Sequence, residues 1–258
     1  MEPNIDGARR AAQSLIDYFG IDSPKEIDLD AMAWHFGIDI REASLKNSEA
    51  QLIRKGNVGV IRIRHGEKDT PRGRFSIGHE IGHWKLHPDQ NQYWICTAEQ
   101  IHQYKGNWME VEANAFSSEL LMPTPVFRPF CQKGTFGFVL ADRLSSLFGT
   151  SLQATALRMI DETPEPAIVV LSDGDKVCWS KRNQRKLPDF AFHIPRDMDL
   201  HDESLAWSAS IDGDQSGTVD AKVWFPNLPD AWRYTVYEDA RNIEAYGLAL
   251  SLIVVHEE

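Results

Sequence analysis

The stretch RGRFSIGHEIGHWKLHPD, residues 72–89, indicates both the fold and the chemistry of this chain. His79 and His83 lie four residues apart, so on a helix both imidazoles face one side and can reach the same ion. Glu80 follows the first histidine, which places its carboxylate beside a water on that ion rather than on the ion itself. This is the HExxH pattern, in which two histidines bind zinc and the glutamate is a general base.

The surroundings of the motif separate a metal site from a five-residue match that arises by chance. Thr70 and Pro71 predict the start of a helix, because a hydroxyl cap precedes a proline in the first turn. That helix is expected to end near Pro88. Gly78 and Gly82 would allow a second helix to approach closely, and this context favours the metal site over a helix that is merely rich in histidine.

Zinc sites that perform catalysis usually have three protein ligands, so a third donor is expected further along the chain. The segment MEVEANAF offers Glu110 and Glu112. Glu110 is the favoured ligand because Asn114 follows it by one turn and could hydrogen-bond a ligand histidine. Phe116 stands at the equivalent place for Glu112, which suits the core. His87 is interpreted as a helix-end histidine near the C-terminal dipole.

Composition and charge limit the classes of function. The net charge of −11 disfavours a large surface for duplex DNA, and residues 165–258 hold 17 acidic against 9 basic residues. The three cysteines are widely spaced and odd in number, which disfavours a disulfide framework. The sequence has neither a signal-peptide pattern nor a long apolar run, so we expect a cytoplasmic protein.

The pattern of elements changes along the chain. Residues 1–122 alternate predicted helices and strands, residues 123–163 are helical, and residues 164–258 are predicted to be mostly strands. The proline-rich and acidic segment DETPEPA marks the last boundary. Strands are predicted there in AIVVLS, KVCWSK, SLAWSAS, TVDAKVWF, YTVYE and LALSLIVV.

The combination of RFSIGHEIGHWKLH with EVEANAFSSELLMP resembles the ImmA/IrrE family of zinc metallopeptidases over roughly residues 10–160. The resemblance implies that His79, His83 and Glu110 bind Zn²⁺, with Mn²⁺ as the other candidate, and that Glu80 is the catalytic base. It implies an α+β protein in which a zincin-like metallopeptidase domain with a helical subdomain precedes a smaller sheet-rich, GAF-like domain.

The resemblance also implies a substrate and a signal. Members of the family typically cleave a helix-turn-helix repressor encoded beside them, some in response to DNA damage or stress and some in mobile-element or anti-phage operons. A GAF-like sensor would bind single-stranded DNA or a small-molecule activator. The chain departs from the usual family pattern at Gly78 and Ser117, where alanine is common.

Several segments have two interpretations. The helix pair at 138–161 is interpreted as a helical subdomain packed on the peptidase rather than as a DNA-reading helix-turn-helix. The basic cluster Lys181, Arg182, Arg185 and Lys186 is either a solvated loop or a contact for single-stranded nucleic acid, aided by nearby Trp179.

The role of Cys96 and the type of activity each have competing interpretations as well. Cys96 is either a small buried residue or a thiolate ligand that occupies the open zinc position and inhibits the enzyme. The competing functions are a non-catalytic, metal-stabilised binding module and a toxin-like peptidase with another protein target. Glu80 argues against the first of these functions, because a purely structural site needs no base.

Overall fold

The computed structural model describes residues 2–45, 48–88, 93–96, 108–187, 189–243 and 247–257, with only the backbone described at 93–96, 190 and 210. The fold is α+β and its contacts divide the chain into two compact units. Unit 1 comprises residues 1–127 and 144–151, and unit 2 comprises residues 128–143 and 152–258. Both units therefore take part of the helical segment 123–163, and the predicted three-domain division stays a prediction.

In unit 1 a helical pair precedes a small sheet. Helix α1 spans Ile5–Phe19 and α2 spans Leu29–His35. Strands β1 (Ile38–Ala43), β2 (Ala50–Lys55), β3 (Val58–Arg64) and β4 (Tyr93–Cys96) form a sheet in the order β1-β3-β2-β4. Strand β1 runs parallel to β3, and the other pairs are antiparallel.

The strands of this sheet follow from apolar alternation. In β3 the side chains of Ile61 and Ile63 are fully buried, whereas Arg64 is exposed. A two-residue turn joins β2 to β3 at Gly56, whose φ of 60° lies in the left-handed region that such tight hairpin turns require. The sheet packs against α3, which spans Pro71–Leu86.

Helix α3 begins as the sequence predicts. The side chain of Thr70 accepts a hydrogen bond from the backbone N–H of Gly73, and Pro71 occupies the first turn. Helix α4 (Trp108–Leu121) packs against α3 and α1 and is buried on nearly all sides. Helices α5 (Thr124–Lys133), α6 (Phe138–Phe148) and α7 (Leu152–Glu162) follow.

Unit 2 contains a second, antiparallel sheet in the order β6-β5-β9-β8-β7. Its strands are β5 (Ala167–Ser172), β6 (Val177–Arg182), β7 (Gln215–Asp220), β8 (Tyr234–Ile243) and β9 (Leu248–Glu257). Helix α7 packs on β5 and β6, and a helix α8 at Leu205–Asp212 packs on β7, β8 and β9. The coarse prediction of a sheet-rich C-terminal region is confirmed.

Two predicted strands of unit 2 are wrong. SLAWSAS forms the start of α8, because Ser204 caps the helix by accepting a hydrogen bond from the N–H of Trp207. In TVDAKVWF only the first residues belong to β7, and a four-residue helix α9 (Ala221–Trp224) follows, capped by Asp220. SLAWSAS contains a tryptophan and TVDAKVWF contains β-branched and aromatic residues, so both compositions resemble a strand although a capping residue precedes each helix.

A buried carboxylate, Glu238, links these helices to the sheet. It is fully buried on β8 and accepts hydrogen bonds from the N–H groups of Leu205 and Ala206 at 3.0 and 2.8 Å. It also accepts from the Trp224 indole at 2.8 Å and the Ser251 hydroxyl at 3.0 Å. Burial raises the pKa of Glu238 although these four hydrogen bonds oppose the shift.

Among the described residues, no helix combines the length and the hydropathy needed to cross a bilayer.

Helices α3 and α4 approach each other closely at two glycines of α3, which have no side chain to separate the helices. A Cβ on Gly78 would lie 2.6 Å from Ser117 Oγ, and a Cβ on Gly82 would lie 3.2 Å from Ala113 Cα. Ser117 in turn donates a hydrogen bond of 2.8 Å to the carbonyl of Phe75 on α3. The two departures from the usual family pattern, Gly78 and Ser117, are therefore direct neighbours.

This contact predicts a compensating pair of substitutions. Gly78→Ala should lower the free energy of unfolding by about 1–3 kcal/mol because the new methyl group overpacks Ser117. Ser117→Ala should cost about 1 kcal/mol because the hydrogen bond to Phe75 is lost. The double variant should recover stability, since the methyl gains space and alanine favours the helix by about 1 kcal/mol. Urea unfolding of all four proteins measures the coupling, and additive effects would contradict the pairing.

The raised pKa of Glu238 predicts a pH dependence. The folded state binds the proton more tightly than the unfolded state, whose pKa is about 4.5. The stability of the wild type relative to Glu238→Gln should therefore be greatest below that pH and should decrease as the pH rises through the folded pKa. Urea unfolding between pH 4 and 8 tests this, with exposed Glu203→Gln controlling for the loss of one charge. A relative stability that increases with pH would contradict the assignment.

Candidate metal centre

Helix α3 places the two histidines of the motif side by side inside unit 1. His79 and His83 are 0% and 1% exposed, and their Nε2 atoms lie 2.9 Å apart. Glu80, which is also fully buried, lies between them in sequence on the same helix. The sequence of α3 thus brings two ring nitrogens and one carboxylate into an interior that water reaches poorly.

Helix α4 supplies the third donor. The carboxylate of Glu110 lies 3.2 Å from His79 Nε2 through one oxygen and 3.3 Å from His83 Nε2 through the other. Two ligand atoms about 2.0–2.1 Å from one tetrahedral ion lie about 3.3–3.4 Å from each other. Within the described part of the chain, these three residues form the one cluster whose donor atoms converge as metal ligands do.

A hydrogen bond orients one ligand ring. The Oδ1 atom of Asn114 lies 2.9 Å from His79 Nδ1, and an amide oxygen can only accept. His79 Nδ1 therefore donates the hydrogen bond to Asn114, and the lone pair of Nε2 faces His83 and Glu110. An outer hydrogen bond of this type fixes both the tautomer and the ring orientation of a metal-binding histidine.

The electrostatics of the cluster suit a divalent cation. Burial lowers the pKa of His83 to about 4, so its imidazole is neutral at neutral pH. Burial alone would raise the pKa of Glu110, but its close contacts with the imidazoles of His79 and His83 outweigh burial and hold that pKa well below its ordinary value. Neutral imidazole and ionised carboxylate are the protonation states that metal binding requires.

The second candidate for the third ligand, Glu112, lies in a different set of contacts. One oxygen of Glu112 accepts a hydrogen bond of 2.7 Å from the backbone N–H of Asn4, and the other lies 3.8 Å from His87 Nε2. His87 ends α3 and its Nε2 lies 3.3 Å from the carbonyl of Met109, next to Glu110. The sequence contains no signal for the contact between Glu112 and Asn4, because 108 residues separate them.

The remaining predicted site residues of unit 1 lie outside the residues described at the side-chain level. The backbone of Cys96 lies on β4 opposite Ala50, but its side chain is not described. Its role as an inhibitory ligand stays a prediction. Tyr93, His102 and Tyr104 are candidate oxyanion stabilisers because they follow the motif closely in sequence. Their side chains also lie outside the described residues, so this role stays a prediction.

The predicted basic cluster belongs to unit 2, and its four residues separate into two pairs. Lys181 Nζ lies 2.7 Å from Asp161 and donates to the carbonyl of Leu157. Arg182 donates to the carbonyl of Asp189. Arg185 and Lys186 line a cavity of about 300 Å³. Binding of nucleic acid by the four residues stays a prediction.

The geometry predicts that Glu110 and Glu112 differ sharply in their effect on metal binding. Glu110→Gln removes the carboxylate that lies beside the two imidazoles and should lower zinc affinity by more than about 100-fold, beyond the range expected for an outer hydrogen-bond partner. Glu112→Gln is the matched control on the same helix and should change affinity only a few-fold, because its amide oxygen can still accept from Asn4. Competition with a chromophoric chelator measures both, and the reverse ranking would refute the ligand assignment.

Comparison with known proteins gives the family. The model of the IrrE N-terminal-like domain (Peptidase_M78) matches residues 33–159, which contain both α3 and α4. No curated protein matches the chain as a relative. A solved structure named as a Mycobacterium tuberculosis transcriptional regulator is similar in fold, with a TM-score of 0.60 and 15% sequence identity. The similarity covers 96% of this chain and 88% of the other.

The family match and the donor cluster fall on the same residues. The segment matched by the IrrE N-terminal-like model includes His79, Glu80, His83 and Glu110, and the three converging donors could bind a metal. Residues 33–159 therefore form a domain of the IrrE N-terminal-like (Peptidase_M78) family, which supports the resemblance to the ImmA/IrrE metallopeptidases.

Proposed function

We propose that the protein is a zinc-dependent endopeptidase whose unit 1 contains a zincin-like active site. The observation that carries this proposal is the convergence of three donor atoms on two helices: His79 Nε2 and His83 Nε2 from α3, and the carboxylate of Glu110 from α4. Two imidazoles and one carboxylate are the ligand set of a hydrolytic zinc site, which keeps a position open for water. Mn²⁺ accepts the same donors and is the second candidate.

The chemistry follows from the position of each side chain. Zinc held by His79, His83 and Glu110 would supply a bound water with a pKa near 7 and a Lewis acid for the peptide carbonyl. Glu80 takes a proton from the attacking water and then passes it to the leaving amine. Glu80 precedes His83 by three residues on α3, so the two residues are neighbours on the helix surface. Asn114 keeps the His79 ring in place.

The proposed substrate is a helix-turn-helix transcriptional repressor encoded beside this protein, and its cleavage would relieve repression. The ImmA/IrrE resemblance supports this substrate class. The fold similarity to a protein named as a transcriptional regulator agrees with a regulatory role. We propose that a stress or DNA-damage signal triggers cleavage in the cytoplasm, with unit 2 containing a GAF-like sensor domain for single-stranded DNA or a small molecule.

The role of Glu80 separates this proposal from a metal-stabilised binding module. Glu80→Gln keeps the size of the side chain but removes the base, so it should lower cleavage of the repressor by at least about 100-fold. Metal content should stay near that of the wild type, because Glu80 is not a donor. The exposed substitution Glu26→Gln is the control. Intact mass spectrometry of the repressor, with and without single-stranded DNA, measures cleavage. Elemental analysis measures the metal content of each variant.

The outcomes distinguish the competing functions. Loss of cleavage with retained metal supports the peptidase. Undiminished cleavage by Glu80→Gln would refute the assignment of the base. Metal binding without cleavage of any repressor by the wild type would favour the binding module, and cleavage of unrelated proteins would favour a toxin-like peptidase.

A further inference from the structure

Unit 2 contains a polar cavity that the proposed peptidase chemistry does not use. It measures about 300 Å³, at the lower end of the range of about 300–1,000 Å³ that is usual for small-molecule sites. Three segments form its walls: helix α5, the end of α7 with the turn that follows it, and the loop after β6. The lining residues are Arg128, Gln132, Asp161, Glu162, Thr163, Pro164, Asn183, Arg185 and Lys186.

Asn183, which is only 6% exposed, joins two of these walls. Its side-chain N–H donates to the carbonyls of Thr163 and Glu165 at 2.9 and 3.2 Å, and its Oδ1 accepts from the N–H of Arg185 at 3.2 Å. Its backbone carbonyl accepts from the N–H of Lys186 at 3.1 Å. The backbone positions of both cations are therefore fixed by a buried residue.

The acidic groups of the cavity are already compensated. Asp161 pairs with Lys181 at 2.7 Å. Glu162 accepts from Arg128 Nε at 2.7 Å and lies 3.6 Å from the buried guanidinium of Arg158. Each carboxylate thus has its own counter-ion, and the charge that remains at the cavity is positive.

The available positive charge comes from three side chains. In the described part of the chain, Arg185 and Lys186 have no carboxylate at ion-pairing distance. The Arg128 side chain is 46% exposed, and its contact with Glu162 uses one of the five N–H donors of the guanidinium. We propose that this cavity binds a small phosphate-bearing metabolite, with Arg128, Arg185 and Lys186 as the anion-binding residues.

The chemistry of the lining favours this ligand class over others. Two guanidinium groups and one ammonium suit the charge and the several acceptor oxygens of a phosphate. The carboxylates are occupied by cations, so a metal ion lacks donors. Single-stranded nucleic acid usually stacks on aromatic rings, and no aromatic side chain is among the described residues that line the cavity. Trp179, which would aid nucleic-acid binding by the basic cluster, does not line it either.

The binding site can be tested independently of peptidase activity. Isothermal titration calorimetry of the full chain with inorganic phosphate, pyrophosphate and the four ribonucleoside 5′-monophosphates should show one-site binding of at least one probe with Kd below about 1 mM. The double substitution Arg185→Gln/Lys186→Gln should weaken that binding by at least about tenfold. Exposed Arg196→Gln/Lys222→Gln is the matched control, because it removes the same charge from unit 2 outside the cavity and should leave Kd within about threefold.

The outcomes of this experiment distinguish specific binding in the cavity from non-specific electrostatic attraction of the probe to unit 2. Equal weakening by both double variants would overturn the proposal, as would the absence of binding by every phosphate probe. Tight binding of a single-stranded oligonucleotide without competition from any mononucleotide would also overturn it and would favour the nucleic-acid hypothesis. Since metal and substrate are absent from all titrations, failure of the peptidase assignment would leave the result unchanged.

Discussion

The close approach of α3 and α4 is the constraint on which the candidate metal centre depends. Gly78 and Gly82 leave no side chain between the helices, and Gly82 meets the backbone of Ala113 directly. Glu110 lies on the adjacent turn of α4, so the same contact brings its carboxylate to the two imidazoles. A larger residue at either glycine would move the helix that carries Glu110, and a displacement of about 1 Å is enough to weaken a site of the kind proposed here.

The close approach of α3 and α4 also explains why so many polar side chains of α4 are buried. This helix buries Glu110, Glu112, Asn114, Ser117 and Glu119, which is unusual because charged residues rarely lose contact with water without a partner. The described contacts supply a partner for each. Glu110 contacts the two imidazoles, and Asn114 accepts a hydrogen bond from His79. Glu112 accepts a hydrogen bond from the N–H of Asn4, and Ser117 donates one to α3. Glu119 accepts hydrogen bonds from the N–H and the hydroxyl of Thr124 at the start of α5. The helix therefore has no simple apolar stripe, although it lies in the core.

Local patterns predict much of unit 1 and less of unit 2. Thr70 and Pro71 mark the start of α3, the alternation in VGVIRIR marks β3, and helical spacing places His79 and His83 together, since each of these features depends on neighbouring residues. The strand predicted in SLAWSAS is wrong because the helix there depends partly on Glu238, which accepts two N–H groups of the first turn from a strand more than 30 residues away. The grouping of residues 128–143 with the C-terminal sheet has a similar origin, because Asp239 accepts the N–H of Phe138 and Arg241 pairs with Asp142.

Bringing two imidazoles and a carboxylate together in the interior costs free energy, which explains why several contacts hold the candidate metal centre in place. The Nε2 atoms of His79 and His83 lie 2.9 Å apart in an interior that disfavours charge, and this burial lowers the pKa of His83. Holding these donors together opposes folding. A cation that binds only the folded chain would stabilise the folded state and offset this cost. The packing of α3 on α4 and the hydrogen bond of Asn114 keep the donors in place. It follows that the same helix contact contributes to the stability of unit 1 and would set the metal affinity of the proposed site.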